Sequence, residues 1–280
     1  MTRQELTDII FAKKSVLCVG LDSELSKIPA HVRAGRSVED AIFEFNKAII
    51  DATLPYTVAY KPNLAFYEAK GLAGMSALYR TVSYIRSLKE PVFIIADAKR
   101  ADIGNTSRLY ASAFFGDGIS TPDFDAVTIA PYMGVDSVSP FLGFEGRWAV
   151  LLALTSNPGA NDFQMIESAD GQLFEKVLQQ SKTWGNESNL MYVVGATRAE
   201  MLKKIRSIVP EHFLLIPGVG AQGGDMNEVL KNGWNKSGGL LINASRSIIF
   251  ASTEDDFALA AKTEAERMQK EMEAFINQNM

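Results

Sequence analysis

Eight short apolar runs recur along the chain and alternate with segments that have helical spacing. Each run is nearly continuous in apolar residues, as expected of parallel strands that are covered on both faces. Eight such strands alternating with helices over 280 residues predict an α/β fold, a (β/α)8 TIM barrel, with a doubly wound open sheet as the alternative. The runs are Val16–Leu21, Thr57–Tyr60, Val92–Ala96, Ala126–Ala130, Ala149–Leu154, Met191–Val194, Phe213–Ile216 and Leu240–Ile242.

The segments between the runs complete this organisation. Met1–Lys14 has helical spacing, and the tail Asp255–Ile276 has the pattern of a closing amphipathic helix. The helices predicted between strands include Val38–Ala52, Gly74–Leu88, Asn105–Phe115, Gly171–Lys182, Arg198–Ile208 and Asp225–Asn232. No linker divides the chain, so we expect one domain over residues 1–280, with Asp22–Ser37 and Asn157–Ala169 as loops long enough to form lids.

Charge and the rarer residue types exclude several classes of protein. A net charge of −5 argues against a general nucleic-acid binder but leaves a local anion site open. The single cysteine, Cys18, rules out an intramolecular disulfide framework and suits a reducing compartment. His31 and His212 are the only histidines, and no pair has metal-ligand spacing. No apolar run has membrane-spanning length and no signal peptide is recognisable, so we expect a cytoplasmic protein.

A charged hexapeptide, Asp97-Ala98-Lys99-Arg100-Ala101-Asp102, follows the third apolar run. Side chains two residues apart share a face of an extended strand, so Asp97 and Lys99 should point the same way, with Asp102 on the next loop. A surface salt bridge would contribute little stability. The alternative is a functional site that uses these charges.

Other polar groups also stand at predicted strand ends, where the chemistry of a barrel lies. They occur in Gly20-Leu21-Asp22, Lys61-Pro62-Asn63, Thr155-Ser156-Asn157-Pro158-Gly159, Gly195-Ala196-Thr197-Arg198 and Asn243-Ala244-Ser245-Arg246. This gathering at one end of the barrel predicts an enzyme.

The segment Gly218-Val219-Gly220-Ala221-Gln222-Gly223 matches the dinucleotide-binding fingerprint in letters only. That fingerprint belongs early in a βαβ unit and needs an acidic residue about twenty positions later, which is missing here. In a barrel, the loops after strands seven and eight often bind phosphate. Glycines let backbone N–H groups approach the oxygens, and Arg246 can add a charged contact. We therefore predict a phosphate monoester site.

Together these motifs resemble the orotidine 5′-monophosphate decarboxylase family, whose members make UMP in pyrimidine synthesis. The resemblance runs from Asp22 to Arg246 and is most specific at Asp97–Thr106, which resembles the family's Asp-x-Lys-x-x-Asp-Ile signature and its downstream threonine. The Thr-Ser-Asn-Pro-Gly-Ala segment 155–160 and the long loops resemble the longer bacterial-type branch.

The resemblance implies a (β/α)8 barrel, a homodimer with shared active sites, and catalysis without cofactor or metal. Lys99 would protonate C6 of the pyrimidine, beside Lys61 and Asp97. Asp102, Ile103 and Thr106 would complete the site of the partner subunit. The further substrate-binding residues implied by the resemblance are Asp22 for the ribose, Ser156 for the pyrimidine, Pro158 in the same loop, and Gly218, Gly220, Gln222 and Arg246 for the phosphate.

Two alternatives stay open. Related barrel enzymes that act on phosphosugars, the keto-gulonate-phosphate decarboxylases and hexulose-phosphate synthases, share Asp-x-Lys-x-x-Asp but use magnesium held partly by an acid after strand two. Here Lys61 occupies that position, and a cation opposes metal binding. A non-catalytic nucleotide-phosphate sensor could keep the glycine turn and Arg246 but would have little need of the full array of lysines and aspartates.

Overall fold

A closed barrel of eight parallel strands forms the centre of the protein, which we describe from a computed structural model over residues 1–116, 121–169, 171–219 and 224–279, with the backbone alone at 197–199. The predicted TIM barrel is confirmed and the open-sheet alternative is wrong, because β1 pairs with both β2 and β8. The strands are β1 (Leu17–Gly20), β2 (Ala59–Lys61), β3 (Phe93–Arg100), β4 (Ala126–Ile129), β5 (Trp148–Leu154), β6 (Leu190–Val194), β7 (Leu214–Pro217) and β8 (Leu240–Ala244).

Helices lie between and around these strands. They are α1 (Arg3–Lys13), α2 (Ala30–Arg33), α3 (Val38–Thr53), α4 (Leu64–Glu68), α5 (Gly71–Ser87), α6 (Gly104–Phe114), α7 (Val135–Leu142), α8 (Ala160–Phe163), α9 (Leu173–Ser181), α10 (Leu202–Ile208), α11 (Met226–Gly233), α12 (Arg246–Ile249) and α13 (Phe257–Asn279). Short 3-10 segments occur at Leu25–Lys27, Leu54–Tyr56 and Ala196–Met201, and Glu167–Ser168 pairs with Gly171–Gln172 as a small hairpin.

Burial of apolar side chains on both faces of the strands explains why the chain closes into a barrel. Every residue of β1, β2, β4, β6 and β8 is buried, so these strands are covered by helices outside and by packed side chains inside. The last helix contributes to the same core, since Phe45 of α3 stacks on Phe257 of α13 at 5.4 Å between ring centroids.

Local signals set the ends of several helices. Thr2 and Glu5 form a reciprocal capping box at the start of α1, and Ser37 caps α3 by accepting a hydrogen bond from the Asp40 amide. Asp225 caps α11 in the same way. These polar side chains take up amide groups that the first turn of a helix leaves without partners.

Several segments differ from the sequence-based expectation. Helix α7 was not predicted, because Gly134 before it and Pro140 inside it are ordinary helix-breaking signals. The two expected loops contain short ordered pieces, α2 in the first and α8 in the second. Strand β3 continues to Arg100, so the charged Asp97 and Lys99 lie within the strand rather than after it.

Within the described ranges, no helix combines the length and the apolar character needed to cross a membrane.

Candidate active site

Polar side chains from different strands meet around Asp97 at the carboxyl end of the barrel. Lys61 Nζ, from the last residue of β2, donates to Asp97 Oδ2 at 2.9 Å, and Lys99 Nζ donates to Oδ1 at 2.6 Å. Thr128 Oγ1, from β4, donates to the same Oδ1 at 3.0 Å. Asp97 is only 9% exposed, so a buried carboxylate is held by two ammonium groups and a hydroxyl.

Mutual electrostatics keep this buried cluster charged. Burial disfavours the ammonium of Lys61, but the carboxylates of Asp22 and Asp97 outweigh that cost and raise the pKa of Lys61 above its usual value. Burial likewise disfavours the Asp97 carboxylate, but Lys61 and Lys99 lower the pKa of Asp97 well below its usual range. The cluster is therefore an alternating array of charges in which Lys61 and Asp97 each stabilise the charged form of the other.

Asp22 stands on the other side of Lys61. Its Oδ1 lies 4.0 Å from Lys61 Nζ, beyond hydrogen-bonding distance. This oxygen is buried and accepts no hydrogen bond from any residue that the structure describes. A buried acceptor in this state is costly unless a bound molecule supplies the donor.

A cleft with two lobes surrounds the charged array, and Lys61, Asp97 and Pro217 line both lobes. The lobe of about 240 Å³ is the more apolar one, with Leu152, Val193 and Leu215 in its wall beside Lys99, Thr128 and Ser156. The lobe of about 180 Å³ is lined by polar groups and backbone, among them Asp22, Asn63, Gly218, Asn243, Ser245 and Arg246.

The polar lobe lies where a phosphate site was predicted. Gly218 has a left-handed backbone with φ of 97°, which favours glycine, and Arg246 is exposed at the start of α12. Gly220 and Gln222, also predicted for this site, lie outside the described residues. The described part of the prediction, Gly218 and Arg246, thus comes together on one side of the cleft.

Four of the predicted site residues do not line the cleft of their own chain. Asp102, Ile103 and Thr106 lie just outside it, at the start of α6, where Asp102 Oδ1 accepts a hydrogen bond from the Ile103 amide at 2.8 Å. No ion pair joins Asp102 to another described residue, and Ile103 is 52% exposed. Pro158 is exposed in the turn before α8 and lines neither lobe.

Sequence reasoning placed Asn63 and Asn243 at strand ends without giving them a role, and it missed Thr128; all three line the cleft. Thr128 is a polar residue inside the apolar run Ala126–Ala130, and that interruption is the signal that could have found it. Cys18 is buried beside Asn243, with Sγ 3.6 Å from Asn243 Oδ1, and burial raises the pKa of its thiol to about 12. It packs as a small core residue.

A charged cleft at the carboxyl ends of eight parallel strands defines a (β/α)8-barrel enzyme. The sequence profile of the orotidine 5′-phosphate decarboxylase / HUMPS family matches residues 15–261. The chain belongs to this family, and it is a carboxy-lyase.

Individual relatives are similar over almost their full length. The orotidine 5′-phosphate decarboxylase of Phocaeicola vulgatus is 55% identical, over 99% of this chain and 100% of its own. That of Christiangramia forsetii is 57% identical, over 97% of each chain. Among solved structures, the OMP decarboxylase of Leishmania donovani has a TM-score of 0.82 at 32% identity and 98% coverage of both chains.

Proposed function

We propose that this protein decarboxylates orotidine 5′-monophosphate (OMP) to UMP and carbon dioxide in pyrimidine biosynthesis, without a cofactor or metal. The observation that carries this proposal is the placement of Lys99 and Lys61 on the two oxygens of the buried Asp97, inside the cleft. The names of relatives that are more than half identical over their full length support the same substrate.

The reaction needs a positive charge close to one carbon atom. When the bond between C6 and the carboxylate breaks, its electron pair stays on C6 in the plane of the ring, where conjugation cannot spread it. A fixed ammonium group can stabilise that charge and then donate a proton to C6. We assign this role to Lys99, which leaves carbon dioxide and UMP as products and a neutral amine that takes a proton back from water.

Asp97 and Lys61 support Lys99 in this proposal. Asp97 accepts a hydrogen bond from Lys99 Nζ at 2.6 Å and so holds the ammonium group at the cleft. Lys61 balances the charge of Asp97 and leaves the Asp22 Oδ1 atom available. We assign that oxygen as the acceptor for a ribose hydroxyl, because it is buried and has no protein donor among the described residues.

The two lobes of the cleft match the two ends of a nucleotide. The pyrimidine would lie in the apolar lobe beside Lys99 and Ser156, and the phosphate would lie in the polar lobe with Gly218 and Arg246. Binding energy from the distant phosphate can then order the charged array and raise turnover as well as affinity.

The catalytic unit in this proposal is a homodimer. Asp102 makes no ion pair within the described chain, so its carboxylate is available to the site of a second copy, together with Ile103 and Thr106. An exposed apolar surface adjoins these residues on α6, on α7 and before α7, as expected of a subunit interface. Its members are Ile103, Leu109, Tyr110, Tyr132, Met133 and Val135.

Purified protein mixed with OMP in the presence of EDTA tests the proposal, with loss of the substrate's ultraviolet chromophore as the readout. We expect turnover in EDTA, and at least a thousandfold loss in Lys99→Ala because the proton donor is removed. The matched control is Lys262→Ala, which removes an exposed lysine on α13.

The other outcomes separate the alternatives. Turnover that requires added magnesium would indicate one of the phosphosugar-type enzymes, and tight binding of OMP without turnover would indicate a sensor. Near-normal turnover by Lys99→Ala would contradict the role given to that lysine.

A further inference from the structure

Thr128 makes two hydrogen bonds that join the backbone of the site to its charged side chains. Its hydroxyl donates to Asp97 Oδ1 at 3.0 Å and accepts from the Lys99 amide at 2.9 Å. The side chain is 1% exposed, so water does not replace either partner. One buried hydroxyl is thus bonded to both residues on which the proposed chemistry depends.

The pairing of β3 with β4 is irregular at this position. Ala96 pairs with Val127, and Arg100 pairs with Ile129, so four steps along β3 correspond to two along β4. The extra residues bulge out of the ladder and include Asp97 and Lys99. Thr128 lies on β4 opposite this bulge, between the two pairs. A bulge of this kind redirects side chains at the cost of local backbone pairing.

Lys99 has a left-handed backbone, with φ of 45°. A side chain in this region is strained, and such a conformation persists only when its surroundings hold it. Among the described non-glycine residues, Lys14 is the other example, and it follows the end of α1 as an ordinary helix cap. The interrupted β3–β4 ladder gives the Lys99 amide no backbone acceptor on β4. The hydroxyl of Thr128 accepts the hydrogen bond of this amide instead.

We propose that Thr128 is a positioning residue for the decarboxylation. By bonding the Lys99 amide and Asp97 Oδ1 at the same time, its hydroxyl holds the strained backbone and the carboxylate in the one arrangement that directs the Lys99 ammonium at the reacting carbon. The inference rests on the proposed function. The two hydrogen bonds of the Thr128 hydroxyl go to Lys99 and Asp97, so its loss should act through these residues and lower kcat more than it changes substrate affinity.

Two variants separate the hydroxyl from the shape of the side chain. Thr128→Val keeps the branched shape and removes both hydrogen bonds, and Thr128→Ser keeps the hydroxyl and removes a methyl group. We expect kcat for OMP to fall at least tenfold in Thr128→Val, with KM within about threefold, and to stay within about threefold in Thr128→Ser.

Thr57→Val is the matched control. Thr57 is also fully buried, and its hydroxyl donates to the Thr53 carbonyl at 2.9 Å at the opposite end of the barrel. This variant should keep the kcat of the unmodified protein. If Thr128→Val does not fold, Thr128→Ala and Thr128→Ser give the same comparison, with kcat of the alanine variant expected at least tenfold below that of the serine variant.

Hydrogen exchange of the Lys99 amide provides a readout that does not depend on activity. Exchange should be faster in Thr128→Val than in Thr128→Ser, because the valine variant leaves this amide without an acceptor. An unmodified protein that does not convert OMP would overturn the proposed function and this inference with it. Normal turnover in the unmodified protein, combined with equal kcat values in Thr128→Val and Thr128→Ser, would overturn the role of Thr128 alone.

Discussion

Asp97 shows how a single buried carboxylate can organise a site. Its two oxygens accept hydrogen bonds from Lys61, Lys99 and Thr128, which come from β2, β3 and β4. A carboxylate has about four lone-pair directions, so three donors fix its orientation. Removing one donor would leave the Asp97 carboxylate buried with one partner fewer. The resulting loss of stability exceeds the net stability that the intact ion pair contributes.

His212 is another buried titratable residue and lies away from the cleft, two residues before the start of β7. Neither ring nitrogen has a hydrogen-bond partner among the described residues, and the ring packs 5.4 Å from that of Tyr192. Burial, reinforced by Arg206, Arg3 and Lys182 against the opposing charge of Glu187, lowers the pKa of His212 to about 4. The native protein therefore holds this imidazole in its neutral form.

This burial predicts a pH-dependent stability. Between the ordinary histidine pKa of 6.5 and the native value of about 4, the unfolded chain binds a proton that the native chain excludes. Burial of neutral His212 therefore leaves the free energy of unfolding at its full value above pH 6.5. As the pH falls towards 4, the free energy of unfolding decreases by up to ~3 kcal/mol. Urea unfolding of the unmodified protein and of His212→Phe across this range should show a shallower decline in the variant.

The control for that measurement is Lys262→Ala, which replaces an exposed lysine on α13 and leaves both histidines in place. It should show the same decline as the unmodified protein. Equal slopes in the unmodified protein and in His212→Phe would contradict the assignment to His212.

At the scale of elements, the close approach of β1 to the segment after β8 shapes the polar lobe. A Cβ atom on Gly20, the last residue of β1, would lie 1.8 Å from Ser245 Oγ and 3.3 Å from Asn243 Oδ1. Ser245 immediately precedes α12, whose first residue is Arg246. Glycine at the end of β1 therefore allows the predicted phosphate-binding segment to approach the strand.

Gly20→Ala should disturb this segment. We expect a free energy of unfolding lower by ~1–3 kcal/mol from overpacking, together with a higher KM for OMP because Arg246 is displaced. Gly143→Ala is the control, since its Cβ would meet only the Pro140 carbonyl at 4.0 Å. Thermal unfolding and steady-state kinetics on the two variants check this, and an unchanged KM in Gly20→Ala would show that the segment moves aside without affecting the site.

The elements also show where sequence patterns are informative. Helix α3 is predicted to within one residue, because Ser37 caps its start and its apolar residues keep helical spacing. Helix α7 is missed because Gly134, just before the helix, and Pro140, inside it, are local signals against a helix. The packing of Val138 and Phe141 into the core stabilises the helix nevertheless. Tertiary burial outweighs local propensity in that segment.

At the scale of the whole molecule, the direction of the chain after β3 separates the residues that we propose for the site. Asp97 and Lys99 lie in the cleft, whereas Asp102 lies at the start of α6, next to the exposed apolar surface. Only two residues separate Lys99 from Asp102, yet the two side chains lie at different surfaces, Lys99 in the cleft and Asp102 outside it. A closed symmetric dimer would bring each Asp102 to the other subunit's cleft.

Mixing two inactive variants tests this arrangement. Lys99→Ala and Asp102→Ala each damage every site of their own homodimers. In a mixed dimer with crossed sites, one site lacks both groups and the other is intact. Subunit exchange at equal concentrations should therefore restore about a quarter of the unmodified activity, since half of the dimers are mixed and half of their sites are complete.

Activity is measured before and after exchange, and size-exclusion chromatography establishes that the species is a dimer. Mixing Lys99→Ala with Lys61→Ala is the control, because both lysines belong to the same cleft, where Lys61 contacts Asp97 beside Lys99. That mixture should stay inactive. No recovery in the first mixture, despite subunit exchange, would place Asp102 in its own subunit's site.

The sequence alone determined a parallel sheet covered by helices, with a closed barrel as the favoured arrangement, and the edge of it that carries the site. Eight continuous apolar runs can be buried on both faces only in a parallel sheet covered by helices, and parallel strands bring their carboxyl ends to one edge. Lys61, Asp97 and Lys99 could be assigned to that edge because each stands at the end of such a run. The tertiary structure decided that the barrel closes and which atoms meet: the irregular pairing opposite Thr128, the left-handed Lys99, and the Asp22 oxygen that accepts no hydrogen bond from a described residue. These depend on register between strands and on burial, which arise from contacts between residues far apart in the chain.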